Sequence, residues 1–447
     1  MRALPTALLL ALAVACHREA TRPPNIVLIS VDTMRRDALK AYDPAAETLP
    51  ELDALAAQSV RFERAVSTAS WTLPAHASML TGLYADRHGA TDPRVRLSPS
   101  SMTLAQSLQA RGYETLGFTN GGFLAPDYGF ARGFDQYDSK EGSGPSAEGA
   151  RDSVFDRAAA RLAARKESRP FFLFLQTYRV HDYYRLAPRT LPQLQRPVRS
   201  ADEYEACLQG TERCDEDDWG TLRALYAAEL RDLDGCFGRL RDTLVSAGLW
   251  DRTVVVLTAD HGEGFDPARG RVHHGGRLDE DVVRIPLLVR VPGLAPSTVE
   301  TPVSLVDIVP TLLELPGAPV PADLDGRSFA PWLRGAGGDG AARSLYAQEF
   351  YFSWWHATSI HSAAIRAHPL ALAVIEGDRW YLRSTDTERV YDVASDPHQE
   401  HDLGAGSGDL PGLRARAVTR DVDRTDSGLL HADQALSDQL RALGYAQ

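Results

Sequence analysis

Two apolar stretches of the sequence, far apart along the chain, each end in an acidic residue. Asp32 follows the run of residues 25–31, and the doublet Asp260-His261 follows residues 253–259. A carboxylate at the edge of an apolar sheet costs free energy unless a cation or a hydrogen-bond donor stands beside it. One divalent metal ion shared between the two strand ends would satisfy both carboxylates. Asp260 taken alone is better explained as a turn residue or a helix N-cap.

Residues 70–82 place a hydroxyl group at the start of a predicted short helix. Trp71 and Pro74 stiffen the preceding loop, and Gly82 suits the end of the helix. The hydroxyl of Thr72 would then face backbone N–H groups that favour an incoming anion. The same pattern equally allows Thr72 to act only as the N-cap of the helix.

Alternating apolar strands and amphipathic helices surround these residues in the sequence. The predicted strands are residues 25–31, 114–119, 171–175, 253–259 and 285–291, and the predicted helices are residues 49–59, 104–110, 151–165 and 222–247. This order predicts an α/β fold, a three-layer domain with a mainly parallel central sheet. In such a sheet ligands bind at the carboxyl ends of the strands, which is where Asp32 and Asp260 stand.

The chain changes character after about Trp332. Residues 335–340 are rich in glycine and predict a flexible join. Beyond it we expect short strands at residues 363–366, 371–376, 379–383 and 389–393, and a closing helix at residues 436–445. We therefore place a catalytic domain at residues 25–335 and a small C-terminal α+β subdomain with an antiparallel sheet at residues 341–447.

Composition limits the classes of partner. The chain has 447 residues, of which 44% are hydrophobic and 24% charged, as in ordinary globular proteins. Its net charge of −12 gives no electrostatic reason to expect a nucleic acid as a partner. A small anionic substrate remains compatible with that charge, because a bound cation reverses the local field.

The first sixteen residues predict export. They contain Arg2, a short apolar run and small residues before Cys16, and the run is too short to span a membrane. This pattern resembles a bacterial lipoprotein signal, with residues 1–15 removed, Cys16 lipidated and residues 16–24 as a linker. An ordinary signal-peptide cleavage site nearby is the alternative. We expect a protein of the cell envelope or periplasm that contacts the membrane only through an N-terminal lipid anchor.

The remaining cysteines fit an exported protein. Cys207 and Cys214 flank a short polar stretch inside the polar region of residues 186–220, and export makes a disulfide between them plausible. Cys236 lies in a helical pattern and is expected to be a buried thiol.

The chain resembles the sulfatase family of the alkaline phosphatase superfamily. The sulfatase signature is Cys/Ser-x-Pro-Ser-Arg-x-x-Leu-x-Thr-Gly, and the matching residues are Thr72-Leu73-Pro74-Ala75-His76, followed by Met79, Thr81 and Gly82. Thr72 replaces the Cys or Ser that becomes formylglycine, and His76 replaces the Arg. Thr72 also resembles the threonine nucleophile of related phosphodiesterases and phosphotransferases. The resemblance implies an alkaline-phosphatase-like domain with a small C-terminal subdomain.

The resemblance also implies a metal site. It places one divalent cation, Ca²⁺, Mn²⁺ or Zn²⁺, on Asp32, Thr72, Asp260 and His261. Thr33 stands where sulfatases carry a second Asp, which removes one negative ligand. In this respect the chain is similar to the phosphonate and phosphodiester hydrolases of the superfamily.

Three histidines match positions on the substrate side of the family's site. His181, after the strand at residues 171–175, matches the substrate-side His. His274 falls where relatives place a Lys or His, with His273 as the alternative if the register slips by one. His76 takes the place of the signature Arg. The resemblance implies that these side chains contact or protonate an ester group.

Together these features predict a metal-dependent hydrolase of sulfate or phosphate/phosphonate esters. Thr72 would attack sulfur or phosphorus, His274 would stabilise the charge on the ester oxygens, and His181 would protonate the leaving alcohol. Water would then hydrolyse the ester on Thr72. A phosphoryl or phosphonyl group suits a threonine nucleophile better than sulfate does, although the overall resemblance is to sulfatases.

Two other functions are compatible with parts of the pattern. A periplasmic transferase of phospho-groups would use the same nucleophile, but relatives of that kind usually carry several membrane helices before the catalytic domain. A non-catalytic sulfatase-like binding protein would explain the changed signature residues. Binding of a divalent ion to the purified protein separates the enzyme from the binding protein.

Overall fold

The computed structural model describes residues 22–139, 153–166, 168–186, 199–335, 337, 343–350, 368–423, 425, 429–430 and 436–437. The predicted signal at residues 1–15, Cys16, the strand expected at residues 363–366 and most of the helix expected at residues 436–445 lie outside this set. No helix within these ranges combines the length and the apolar character that crossing a bilayer requires.

The strands agree closely with the apolar runs of the sequence. They are, in chain order, β1 (Asn25–Val31), β2 (Val60–Phe62), β3 (Ala65–Val66), β4 (Glu114–Phe118), β5 (Gln136–Asp138), β6 (Phe171–Thr177), β7 (Thr253–Ala259), β8 (Phe265–Asp266), β9 (Arg271–Val272), β10 (Arg284–Ile285), β11 (Leu287–Arg290), β12 (Ser297–Val299), β13 (Val303–Ser304), β14 (Leu345–Glu349), β15 (Ala371–Glu376), β16 (Arg379–Arg383) and β17 (Glu388–Asp392). Every residue of β1, β6 and β7 is buried, which explains their continuous apolar sequence.

The central sheet is mainly parallel. Its eight strands lie in the order β12-β2-β11-β7-β1-β6-β4-β5. The strands from β7 to β5 are parallel to one another, and β11 runs antiparallel to β7 and β2. The carboxyl ends of β7, β1 and β6 therefore meet at one edge of the sheet. Asp260, Asp32 and the segment leading to His181 leave the sheet at that edge.

Helices cover the sheet on both faces. They are α1 (Pro50–Ala56), α2 (Thr72–Thr81), α3 (Ala85–His88), α4 (Leu104–Gln109), α5 (Ser153–Ala163), α6 (Ala201–Leu208), α7 (Glu216–Ser246), α8 (Glu280–Val283), α9 (Ile308–Glu314), α10 (Ala330–Leu333) and α11 (Leu410–Val418). One group, α1, α5 and α7, packs together, and a second group is formed by α2, α4 and α9. The result is the three-layer α/β domain that the sequence predicts.

A separate antiparallel sheet forms the C-terminal part of the chain. Its strands lie in the order β14-β15-β16-β17, and α11 packs against β15 and β16. The sequence predicted the last three of these strands and missed β14. This sheet confirms the predicted α+β character of the C-terminal region.

Two local features differ from the sequence prediction for physical reasons. The strand expected at residues 285–291 is divided into β10 and β11 at Pro286, which has no N–H to donate to a sheet. The long helix begins at Glu216 rather than near residue 222, because Asp215 caps it and accepts from the backbone N–H of Asp218.

The three cysteines that the structure describes are arranged as the sequence predicts. Cys207 and Cys214 form a disulfide, and Cys236 is a buried thiol.

Candidate active site

Thr72 is the first residue of α2, and its side chain faces the carboxyl end of β1. Trp71 precedes the helix in an extended conformation with φ −154°, and Gly82 ends it in the left-handed region with φ 72°. A glycine adopts that φ without strain because it has no Cβ. The Thr72 hydroxyl donates to Asp32 Oδ2 at 3.1 Å. Thr72 is therefore not the N-cap of this helix, and its hydroxyl lies against an acidic group.

Asp32, Asp260 and His261 bring three buried ligand atoms together at one edge of the sheet. Since β1 and β7 are parallel neighbours, Asp32 and Asp260 leave their strands side by side. His261 Nε2 lies 3.8 Å from Asp32 Oδ1 and 3.4 Å from Asp260 Oδ2. None of these three atoms has a hydrogen-bond partner among the described residues, although all three side chains are fully buried.

The other polar atoms of this group are hydrogen-bonded in a way that fixes its geometry. Asp260 Oδ1 accepts from the backbone N–H of His261 at 2.8 Å and from that of Thr33 at 3.3 Å. His261 Nδ1 donates to the Gly262 carbonyl at 3.0 Å, and burial lowers the pKa of His261 to about 4. The imidazole is therefore neutral, with its Nε2 lone pair facing the carboxylates, as in histidines that bind metals.

The group fits a divalent cation. Burial raises the pKa of Asp32 well above its usual value, and the neighbouring Asp260 raises it further. A cation between the two carboxylates would remove their repulsion and give each of the three unpartnered atoms a partner. Two carboxylates, an imidazole and the Thr72 hydroxyl form a mixed oxygen and nitrogen set that suits Ca²⁺, Mn²⁺ or Zn²⁺.

Thr33, which stands where sulfatases carry a second Asp, is used for backbone support. Its φ is 57°, a left-handed conformation that costs free energy for a β-branched residue. Its hydroxyl donates to the Asp32 carbonyl at 2.7 Å, and its own carbonyl accepts from the Tyr226 hydroxyl at 2.9 Å. These contacts hold the turn after β1 in the conformation that presents Asp32.

His76 lies directly behind Thr72. Its Nδ1 donates to the Thr72 carbonyl at 2.9 Å, and its Nε2 lies 2.9 Å from the Ser30 hydroxyl. Nδ1 is also 3.4 Å from Asp260 Oδ2. Burial lowers the pKa of His76 to about 4, so the ring is neutral. The structure thus brings His76 to the site, where both of its nitrogens contact protein atoms.

His181 and His274 lie next to the ligand group. His181 follows β6, and its Nδ1 is 2.9 Å from Asp182 Oδ1. The ring of His274 lies 5.2 Å from that of His181 and 4.5 Å from that of His261, measured between ring centres. Its Nε2 is buried and has no hydrogen-bond partner among the described residues. The histidines that the resemblance placed on the substrate side are therefore neighbours.

Glu263 supports His274. Its Oε2 lies 3.2 Å from His274 Nδ1, and its Oε1 accepts from the Gly264 N–H at 2.9 Å. Burial raises the pKa of Glu263 to about 8 and lowers the pKa of His274, so both groups favour their uncharged forms. The ring of His273 stacks on that of His274 at 4.0 Å. Glu263, His273 and His274 also form a second group of possible metal ligands, whose atoms lie within 4.8 Å of one another.

Comparison with known proteins decides the family. The sulfatase family profile matches residues 24–318, which is more than half of the chain. The chain belongs to the sulfatase family. A second profile, N-sulphoglucosamine sulphohydrolase, C-terminal, matches residues 276–408.

This sulfatase-family chain is similar to proteins with several different names. The chain is 26% identical to the multifunctional alkaline phosphatase superfamily protein PehA of Trinickia caryophylli, over 92% of this chain and 96% of that protein. It is 28% identical to arylsulfatase A of Homo sapiens, over 90% of this chain and 87% of that protein. The phosphonate monoester hydrolase of Agrobacterium radiobacter shares the fold, with a TM-score of 0.70, 21% identity and coverage of 92% of this chain and 100% of that chain. The chain is thus an ester hydrolase of the alkaline phosphatase superfamily.

Sequence reasoning missed the side chains that orient the site. Asp182 and Glu263 were not singled out, although each stands one or two residues from a histidine that was, and that proximity was the available signal. Tyr178 was also missed. Its buried hydroxyl accepts from the Phe123 N–H at 3.3 Å, and burial together with the charges of Asp32 and Asp260 raises its pKa.

Proposed function

We propose that this sulfatase-family hydrolase cleaves sulfate or phosphate/phosphonate esters with Thr72 as its nucleophile and one divalent metal ion as its cofactor. The observation that carries the proposal is the contact of the Thr72 hydroxyl with Asp32, beside three buried ligand atoms for which the described part of the chain offers no hydrogen-bond partner. A nucleophile in covalent catalysis needs a neighbour that activates it. When bound, the cation supplies positive charge that lowers the pKa of the hydroxyl and offsets charge on the ester.

In the first step Thr72 Oγ attacks sulfur or phosphorus from the side opposite the leaving alcohol. The hydroxyl proton departs along the hydrogen bond to Asp32 Oδ2. The bond between sulfur or phosphorus and the alcohol oxygen breaks, and His181 donates a proton to that oxygen. Asp182 contacts Nδ1 of His181 and so fixes the orientation of the ring.

His274 stabilises the charge on the ester oxygens. With Glu263 protonated, its carboxyl group donates to His274 Nδ1, which leaves the hydrogen of the neutral ring on Nε2. No residue that the structure describes accepts a hydrogen bond from this buried Nε2, so it can donate to an oxygen of the substrate. Glu263 thus fixes the tautomer of His274, so that Nε2 is the nitrogen that donates to the substrate.

In the second step water attacks the ester on Thr72. His181, now without its proton, accepts a proton from that water, and the bond to Thr72 Oγ breaks as the hydroxyl recovers its own proton from Asp32. A threonyl sulfate lacks the release route that formylglycine offers, so a phosphoryl or phosphonyl ester suits this step better. Relatives named for sulfatase and for phosphonate monoester hydrolase activity support keeping both substrate classes in the proposal.

Thr72 variants test the nucleophile. Nitrophenyl sulfate, phosphate monoester, phosphodiester and phosphonate are assayed side by side with Mn²⁺, Zn²⁺ or Ca²⁺. We expect Thr72→Ala to lose at least about a thousandfold in kcat on the best substrate, and Thr72→Ser to retain activity because it keeps a hydroxyl. Thr81→Ala is the matched control, since Thr81 is buried in the same helix and donates to the Ala77 carbonyl. Near-normal turnover by Thr72→Ala would exclude Thr72 as the nucleophile.

We further propose that the protein is exported and anchored by a lipid on Cys16. The support is the short apolar run followed by small residues before that cysteine. Expression of the full chain and of a Cys16→Ser variant in a bacterial host checks this, with the membrane and soluble periplasmic fractions compared. Lipidation predicts that only the variant moves to the soluble fraction. An identical distribution of both proteins would contradict it.

A further inference from the structure

The residues immediately before Thr72 are held by the C-terminal sheet. Glu349 is the last residue of β14, and its side chain is fully buried. Its Oε1 accepts from Trp71 Nε1 at 2.9 Å, and its Oε2 accepts from the Ser70 hydroxyl. The two ends of this contact are separated by 278 residues of sequence. A single carboxylate therefore ties the C-terminal sheet to the two residues that precede the nucleophile.

The contact controls the start of α2 because Trp71 is the last residue before the helix. Trp71 is buried, and its ring lies edge-on against Phe123 with 5.2 Å between ring centres. An indole nitrogen can only donate, so it needs an acceptor such as Glu349 when it is buried. These two contacts hold the indole at its edge and at its nitrogen, and so support the backbone from which Thr72 starts.

Two backbone contacts hold the same loop from different sides. Gln348, next to Glu349, donates its N–H to the Thr68 carbonyl at 2.9 Å. Gly275, which follows His274, donates its N–H to the Ser70 carbonyl at 3.0 Å. The loop before the nucleophile thus lies between the C-terminal sheet and the segment that carries His274.

We propose that Glu349 is a positioning residue, which holds the Thr72 hydroxyl at the distance and angle needed for attack on the ester. The proposal rests on the function proposed above, because the position of Thr72 limits the rate only if Thr72 is the nucleophile. Misplacement of a reacting group by about 1 Å costs about a hundredfold in rate. Asp32, Asp260 and His261 belong to the β1 and β7 ends of the sheet, so substrate affinity and metal content should survive the loss of Glu349.

Four variants separate the two hydrogen bonds. Glu349→Ala removes both acceptors. Glu349→Gln keeps one acceptor oxygen for Trp71 Nε1 and presents its NH₂ to the Ser70 hydroxyl, which can rotate to accept. Trp71→Phe removes the indole donor and keeps an aromatic ring against Phe123. Ser70→Ala removes only the hydroxyl.

The matched control is Glu114→Gln. Glu114 is also a buried carboxylate, paired with Arg161 and Arg165, but it stands at the amino end of β4, at the edge of the sheet opposite the site. The control therefore removes a buried charge of the same kind without touching the nucleophile loop. We expect it to lower the melting temperature and to leave kcat unchanged.

The readouts are kcat, KM, the number of divalent ions per chain and the melting temperature, all on the full-length protein with the best nitrophenyl ester. We expect kcat to fall about a hundredfold in Glu349→Ala and about tenfold in Glu349→Gln and Trp71→Phe, with KM and metal content within twofold of wild type. The double variant Trp71→Phe/Glu349→Ala should be no slower than Glu349→Ala, because both changes break the same contact.

Three outcomes would overturn the proposal: a folded Glu349→Ala protein with kcat within twofold of wild type, a loss confined to KM or to metal content, or effects of Trp71→Phe and Glu349→Ala that multiply. If Glu349→Ala does not fold, Trp71→Phe and Ser70→Ala decide, and normal kcat in both would overturn it. If Thr72→Ala is inactive and the Glu349 variants behave like wild type, the inference about Glu349 is wrong and the proposed function stands. If Thr72→Ala is active, the proposed function is wrong as well.

Discussion

At the scale of single residues, two replacements relative to the sulfatase pattern change the charge of the site. His76 replaces an arginine, and burial lowers its pKa to about 4, so this position carries no positive charge near neutral pH. Thr33 replaces a carboxylate, and its hydroxyl donates a hydrogen bond to the backbone carbonyl of Asp32. The two replacements remove one positive and one negative charge from the same place. We infer that the charge of an anionic ester is met by the cation and by neutral imidazole donors.

Burial of histidines also makes the stability of the protein depend on pH. His88 is fully buried, with Nδ1 accepting from the Ala90 N–H at 3.1 Å and Nε2 donating to the Ser78 hydroxyl at 3.2 Å. Burial lowers its pKa to about 3, whereas the pKa of an unfolded histidine is about 6.5. Between these values the unfolded chain binds a proton that the folded chain does not. His88 therefore stabilises the fold fully above about pH 6.5, and its contribution falls by about 1.4 kcal/mol for each pH unit below that.

Urea unfolding at pH 6 and pH 5 measures this effect. We expect His88→Gln to be less stable than wild type at pH 6, and to lose about 1.2 kcal/mol less between the two pH values, because the titrating group is gone. His401→Gln is the control, since His401 is 81% exposed and should leave the wild-type decline unchanged. A decline in His88→Gln equal to that of wild type would contradict the assignment.

The part of the site that sequence reasoning could find is the part fixed by strand ends and by the signature. Asp32 and Asp260 were predicted together because parallel strands carry their carboxyl ends to one edge of a sheet. The partners that orient the histidines could not be found, because contacts such as Glu263 with His274 depend on the path of a turn. In that turn His273, Gly275 and Gly276 all have positive φ, which no periodic pattern encodes.

At the scale of elements, continuous apolar runs predicted the bounds of strands correctly, whereas runs interrupted by polar residues did not. The strands β1, β4, β6 and β7 lie within one or two residues of their predicted ends because burial on both faces leaves an unbroken signal. β14 was missed because its sequence, Leu-Tyr-Ala-Gln-Glu, ends in two polar residues. Both residues can be buried because distant parts of the chain hydrogen-bond to their side chains. Glu349 accepts from Ser70 and Trp71, and Gln348 accepts from the Asp86 N–H and donates to the Arg420 carbonyl.

At the scale of the whole molecule, the C-terminal part of the chain is joined to the catalytic domain by several polar contacts. Besides the contacts of Gln348 and Glu349, Arg343 forms an ion pair with the buried Asp307, and Arg420 pairs with Asp86 and Asp325. Removing one partner of a buried ion pair leaves the other charge buried without compensation, which costs free energy. We therefore expect the two parts of the chain to act as one catalytic unit, in which the C-terminal part supports the proposed nucleophile Thr72.

The most direct measurement is the anomalous scattering of crystals grown with Mn²⁺ or Zn²⁺. The proposed function predicts a peak about 2.0–2.5 Å from Asp32 Oδ1, Asp260 Oδ2 and His261 Nε2, with the Thr72 hydroxyl beside it, and the loss of that peak in Asp260→Ala. No peak at this position would contradict the account. So would a cation bound only by Glu263, His273 and His274, because Thr72 would then lie beside two carboxylates and no metal.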